Sequence, residues 1–347
     1  MSAPLRSWFA TLPAGQTVVM RPGACYLVDR GLKLNDPQRL TVYGGTFRNA
    51  ATVPGPGAHS KGHPVITVIG GHGITFESMQ ISGANPGGYH PSLAFAGGIE
   101  LEGTSQATIR GVTITDTFGD GITLVPLRGG RNHNSGTIIA PPSEITVRDV
   151  TIDGAGRQGV TFSSVSGAQL SDVVVKNPGL DTFDVEADQS NEGASDVTID
   201  GCTASGGAFF FANGGKGAGS FTHDIVVEHC SMAKPENGTT ILVARAPHIK
   251  GLRGPFTFTA DSLWCGASVY VACLQLSGAT VTVADSVLQF PGGTVHEPVY
   301  HLSRQSMVRL IGDVVTGYGR DGSVSARSEV HISLGTWTPW GRPPEKK

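Results

Sequence analysis

Gly98-Ile99-Glu100-Leu101 returns as Gly121-Ile122-Thr123-Leu124, then as Gly159-Val160-Thr161-Phe162, and once more, altered, as Phe183-Asp184-Val185-Glu186. In each copy a charged or small polar residue is wedged between apolar ones. The anchors Ile99, Ile122, Val160 and Phe183 stand 23, 38 and 23 residues apart. A unit returning at roughly 20–50 residues marks a repeat architecture. Period-two alternation makes each copy a strand with one apolar and one polar face.

A second ladder supports the repeat. Phe76-Glu77-Ser78-Met79, Ile109-Arg110-Gly111-Val112, Val147-Arg148-Asp149-Val150, Leu170-Ser171-Asp172-Val173, Ile199-Asp200-Gly201-Cys202 and Val227-Glu228-His229-Cys230 align with apolar residues at the first and fourth places. Two polar or small residues between them are expected where a strand turns a corner and resumes. Each coil then holds short, half-buried strands separated by Gly, Asn, Asp and Ser turns. No stretch of ten or more residues carries a 3.6 period.

These features resemble the right-handed parallel β-helix of the pectate-lyase-like superfamily. The fold expected is all-β, a single-stranded right-handed parallel β-helix (a solenoid) of about ten coils. Residues 1–11 are expected as an N-terminal cap segment, 12–333 as the β-helix domain and 334–347 as a C-terminal tail containing Trp337, Pro339, Trp340 and Pro343. Leu12-Pro13-Ala14-Gly15-Gln16-Thr17-Val18-Val19 resembles the start of such domains, and Tyr43-Gly44-Gly45-Thr46-Phe47 their first coil.

Composition narrows the classes. The 347 residues include 49 glycines and 21 prolines without a Gly-X-Y period, which excludes collagen. The formal net charge is −3 and no Lys/Arg cluster or basic stripe stands out, so no nucleic-acid partner is expected. No apolar run reaches membrane-spanning length, so no membrane partner is expected either. No secretory signal is legible after Met1-Ser2-Ala3-Pro4-Leu5-Arg6. The resemblance nonetheless implies an extracellular or virion-associated protein, monomeric or homotrimeric.

Cys202 and Cys230 occupy equivalent places in successive coils. They read as small apolar residues stacked in the core, with an inter-coil disulfide as the alternative, because neighbouring strands lie about 4.8 Å apart. Cys265 and Cys273 could pair around a local loop, leaving Cys25 single. Three insertions, 84–97, 126–143 and 213–220, flank the repeat strands and are expected to wall a cleft.

The chemistry is read from the register. If Phe183, Val185 and Ala187 point inward, Asp184, Glu186 and Asp188 share the outward face. Carboxylates so close need a bound cation, a shared proton or a basic substrate group. Residues two apart on a strand have Cα atoms about 6.5–7 Å apart. That suits a glycosidase pair or the oxygen ligands of calcium. Asp181-Thr182-Phe183-Asp184-Val185-Glu186-Ala187-Asp188 resembles an acidic strand of many β-helix carbohydrate enzymes and phage depolymerases, often Gly-(Ile/Val)-Asp-(Ile/Val)-Glu-Pro. Phe183 and Ala187 depart from that pattern. The resemblance implies Asp184 and Glu186 as catalytic carboxylates, with Asp188 and Asp181 beside them. A calcium set would be Asp184, Glu186 and Asp188.

Glu100 and Glu102 face outward three coils earlier, about 14 Å from Asp184 at normal strand spacing. They are expected to bind other parts of an extended substrate. Thr123, Thr161 and Ser163 would floor a groove, with Asp120, Gln158 and Asp181 stacked at its edge and Arg157 adjacent. Phe210 is expected to face out and stack on a sugar ring. Arg131, His133, Arg245 and Lys250 complete the substrate-binding candidates. Gly71-His72-Gly73 and His248-Ile249-Lys250 resemble polygalacturonase motifs only superficially, since their order relative to the carboxylates is wrong.

The function expected is cleavage of a polysaccharide by outward carboxylates, as a glycoside hydrolase. The alternatives are a calcium-dependent lyase acting on a uronate-containing glycan and a non-catalytic glycan-binding or phage-tail β-helix.

Overall fold

The computed structural model describes the chain apart from residues 1, 51–61, 130–135, 190, 215–221, 234–239, 246–252, 266–271, 291–297, 319, 325–328, 334–335 and 340–347. The described residues are overwhelmingly strands joined by tight turns. Two compact units divide the chain, Met1–Asp184 and Val185–Lys347.

In the first unit the strands Leu32–Asn35, Ile66–Ile69, Ile99–Glu102, Ile122–Val125 and Val160–Phe162 and the strand beginning at Asp181 pair in parallel, in that order. The register is the one the repeat demands: Leu32, Ile66, Ile99, Ile122, Val160 and Phe183 are successive partners. All six are buried, with at most 2 % of their surface exposed. They form one rung of the solenoid core.

The glycine that opens three of the repeats has a packing cause. A Cβ on Gly98, Gly121 or Gly159 would lie 2.5–2.6 Å from a carbonyl oxygen of the next coil. It would also press on Ile114, Ile152 or Val175 at 2.6–2.8 Å. Gly121→Ala is therefore expected to destabilise the protein by about 1–3 kcal/mol, the usual range for overpacking. Denaturant unfolding of the variant beside the parent measures it.

The second ladder is a row of corners. Its third residue is left-handed in every copy, with φ of 53° at Ser78, 59° at Gly111, 53° at Asp149, 52° at Asp172, 66° at Gly201 and 54° at His229. Glycine enters this region without strain, and short polar side chains tolerate it better than branched ones. Its first and fourth places are buried, from Phe76 and Met79 to Val227 and Cys230.

In the second unit the strands Phe209–Gly214, Thr240–Arg245, Leu274–Ser277, Pro298–Ser303 and Arg320–Val324 pair in parallel. Ala194–Asp200, His223–Glu228, Arg253–Thr259, Ala279–Ala284, Met307–Ile311 and Glu329–Ser333 form a second parallel row. Phe211 packs edge-on against Phe256 and Phe258, with ring centroids 6.1 Å apart.

Here the closing ladder changes chemistry. After Cys202 and Cys230 the equivalent places hold Asp261, Ser286 and Asp313, all at most 2 % exposed. Each side chain accepts the backbone N–H of the equivalent residue one coil earlier. Asp261 Oδ1 takes Cys230 N at 2.7 Å, Ser286 Oγ takes Asp261 N at 3.1 Å, and Asp313 Oδ1 takes Ser286 N at 2.9 Å. Oδ2 of both aspartates is buried without a hydrogen-bond partner. Cys202 and Cys230 are joined as a disulfide, which replaces the reading of two stacked thiols. Adjacent-strand spacing, with Cα atoms 4.5 Å apart, brings the sulfurs together. Cys265 and Cys273 are also joined, and Cys25 is free and exposed.

Three additions sit around the strands. The helix Ser2–Phe9 buries Phe9 edge-on against Phe47. The insertion at 84–97 is held by Asn85, whose Nδ2 donates to Gly88 O at 2.9 Å and Thr117 O at 3.0 Å. Its Leu93 and Ala96 pack on Phe118. Within 126–143, Leu127–Gly129 and Thr137–Ala140 form an antiparallel hairpin.

Candidate functional site

The outward face of the first unit carries the acidic chemistry. Lys33, Thr67, Glu100, Thr123, Thr161 and Asp184 are successive register partners along it. Two residues further on, Asn35, Ile69, Glu102 and Val125 form a parallel column. Glu100 and Glu102 therefore share one face of one strand.

Asp120 and Gln158, expected at a groove edge, are hydrogen-bonded to the outward column. Asp120 Oδ2 accepts Thr161 Oγ1 at 2.9 Å and Thr123 Oγ1 at 3.3 Å. Its Oδ1 accepts the Gln158 backbone N–H at 3.3 Å, and Arg157 Nη1 lies 3.7 Å from Oδ2. Gln158 Nε2 donates to Asp184 Oδ2 at 3.1 Å. Thr161, Asp120, Gln158, Asp181 and Asp184 are buried, and so is Glu102. A polar network has closed over the last two coils of this unit.

Glu100 differs from these carboxylates. It is half-buried and its carboxyl is pushed up to about 7. Burial is the largest cause, followed by repulsion from Glu102; Asp120 adds to the rise and the Lys33 ammonium opposes it. A carboxyl at about 7 holds its proton for part of the population at neutral pH, which a proton donor requires.

Asp184 and the residues after it stand differently from expectation. Phe183, Val185 and Ala187 are buried, as the alternation requires. Glu186, which ends the strand Asp181–Glu186, is half-buried. Asp188 is exposed beyond the strand, and its backbone N–H donates to Glu192 Oε2 at 2.5 Å. Among the described residues, one group brings three metal-capable side chains together, Asp200, Glu228 and the exposed His229. Asp188, the third member of the expected calcium set, thus lies beyond the end of the strand Asp181–Glu186.

Phe210 is fully buried and offers no ring face to a sugar, so the stacking role is corrected. Arg245 ends the strand Thr240–Arg245, whose side chains are outside the described residues. Arg131, His133 and Lys250 also lie outside them. Sequence reasoning missed Lys33. The signal was present: Gly31-Leu32-Lys33-Leu34 is an earlier copy of the opening repeat.

No family model matches this sequence, and no curated protein matches it. Solved structures do. The tailspike protein of E. coli bacteriophage HK620, solved in complex with a pentasaccharide, is 12 % identical with a TM-score of 0.62 over 92 % of this chain. The chain spans 59 % of the tailspike's length. The Yersinia enterocolitica family 28 exopolygalacturonase is 12 % identical, with a TM-score of 0.59 over 97 % of this chain and 75 % of its own. The A-module of the Azotobacter vinelandii mannuronan C-5 epimerase AlgE4 is 12 % identical, with a TM-score of 0.54 over 95 % of this chain and 90 % of its own. Parallel strand rows, a left-handed corner repeated from coil to coil and these likenesses together make the chain a right-handed parallel β-helix protein.

Proposed function

We propose that this protein is a carbohydrate-active enzyme that cleaves glycosidic bonds of a polysaccharide by hydrolysis. The observation that carries the reading is the pairing of Glu100, raised to about 7, with Glu102 on the same strand face. Glycoside hydrolysis needs one carboxyl that donates a proton to the leaving oxygen and one carboxylate that activates water or attacks the sugar. Glu100 takes the first role and Glu102 the second. Their Cα atoms, two residues apart, are separated by about 6.5–7 Å. Asp120, fixed by Thr123, Thr161 and Gln158, positions the floor beside them. The glycan-related neighbours support the substrate class.

The test is a panel of polysaccharides incubated with the protein, with products read by mass spectrometry and ultraviolet absorbance. Hydrolysis adds one water per cleavage and creates no absorbing double bond. Products with a new double bond would make the enzyme a lyase, and binding without turnover would make it a glycan-binding β-helix. The pH profile is a second check. A donor near 7 must be protonated, so kcat/KM is expected to fall about tenfold per pH unit above about 7.

A further inference from the structure

Two neighbouring corners of the second unit bring metal-binding groups together. Asp200 and Glu228 are direct register partners on the strands Ala194–Asp200 and His223–Glu228. The residues before them, Ile199 and Val227, are fully buried, so alternation turns both carboxylates outward. Like charges directly opposite each other on adjacent strands repel. Among the described residues no lysine or arginine pairs with either carboxylate.

His229 follows Glu228 at a left-handed corner, with φ of 54°. The ring reaches back across the coil boundary, and its Nδ1 lies 2.8 Å from Asp200 Oδ1. Backbone bonds hold this corner: the His229 N–H donates to Thr259 O at 3.1 Å, and the Gly201 N–H donates to Glu228 O at 3.0 Å. The Cys202–Cys230 disulfide ties the same two coils from the buried side. Donor atoms of Asp200, Glu228 and His229 all lie within 4.8 Å of one another. Donors around a tetrahedral zinc ion, each about 2.0–2.2 Å from the metal, stand roughly 3.3–3.6 Å apart. Small rotations of these partly exposed side chains cover the difference.

The surroundings favour positive charge at this point. The His229 imidazole is raised above its ordinary range, first by the hydrogen bond to Asp200; desolvation opposes the rise, and the charges of Asp200, Glu228 and Asp261 add to it. Asp261 is buried and accepts the N–H of Cys230, the residue after His229, while its Oδ2 has no hydrogen-bond partner.

We propose that Asp200, Glu228 and His229 form a binding site for a divalent transition-metal ion of the zinc class, which staples two successive coils on their outer face. One imidazole nitrogen with two carboxylate oxygens suits such an ion, whereas calcium takes about six to eight oxygen ligands. Three protein donors leave a further position to water. The ion replaces the Asp200–His229 hydrogen bond, and because it binds the folded chain it stabilises that state by mass action. These strands belong to a different sheet from that of Glu100, and the proposal is independent of the glycan reading.

The test titrates zinc chloride, and separately calcium chloride, into the protein by calorimetry, and follows thermal unfolding with and without zinc. The chain has 11 histidines, so variants must locate the ion. His229→Asn removes the imidazole and keeps a residue that tolerates the left-handed corner. Glu228→Gln leaves the corner backbone untouched, which keeps the test open if His229→Asn does not fold; circular dichroism checks both. The expected result is one zinc ion per parent chain, bound at least about tenfold more weakly in each folded variant. Zinc should also raise the unfolding midpoint of the parent more than that of either variant. Absence of zinc binding by the parent, or undiminished binding by either folded variant, overturns the site. Displacement of zinc by an equal concentration of calcium overturns the choice of metal.

Discussion

Replacing Glu100 by glutamine is expected to lower kcat/KM on the cleaved glycan by about 10²–10⁴, the range that a positioned proton donor contributes. Glutamine keeps the size and polarity of the side chain but has no proton to give. The fall above about pH 7 should vanish with it, because that limb reports the Glu100 carboxyl. Glu102→Gln sharpens the assignment. Repulsion from Glu102 helps hold the Glu100 carboxyl high, so removing that charge should move the alkaline limb to lower pH in whatever activity remains. Asp184→Asn serves as the contrast. Asp184 is buried and already accepts from Gln158, and asparagine retains an acceptor for that contact. Its expected loss is smaller than that of Glu100→Gln. The reverse order would return the proton donor to the Asp184 strand.

The second large effect concerns stability. Asp261 and Asp313 stand where earlier coils hold methionine, valine or cysteine, and each spends one oxygen on a backbone N–H and leaves the other buried. Burial, the largest cause, pushes Asp261 up from 3.8 to about 7 and Asp313 to about 6. Nearby charges modify this. His229 lowers and Glu228 raises Asp261, while Asp285 raises Asp313. The folded chain therefore keeps protons that the unfolded chain releases near 3.8. Between these values the folded state binds more protons, so its stability is full below about pH 4 and declines as pH rises to about 7. For Asp261 alone, about three pH units at about 1.4 kcal/mol each set an upper bound on the order of 4 kcal/mol. Urea unfolding at pH 4, 5.5, 7 and 8 measures the slope for the parent. The variant Asp261→Asn/Asp313→Asn retains the acceptors and removes the titration, so the slope should flatten. A parent whose stability is level or climbs between pH 4 and 7 would reject the buried-acid account.

At three corners of the second unit the fourth residue's N–H, that of Cys230, Asp261 or Ser286, is taken by an Asp or Ser side chain one coil later, as a buried donor requires. The aligned segments Phe76–Met79 to Val227–Cys230 revealed the corner but not this exchange, because their closing residues are mostly apolar.

Much of the fold was legible in the residues themselves. A strand's side chains alternate with a period of two, so Ile99, Ile122, Val160 and Phe183 could enter the core only in one register, and every partner between them followed. That local rule also placed Glu100, Glu102 and Asp184 on a single face. Tertiary structure alone decided how far each of these carboxylates is covered. Exposure depends on what folds over the face, and Asp120 and Gln158, from turns outside the alternation, cover the Thr161–Asp184 end while leaving Glu100 half-open. Lys33 acquired its place in the same way: its distance from Glu100 is 67 residues along the chain but two strands across the sheet, and only stacking of coils converts the first into the second.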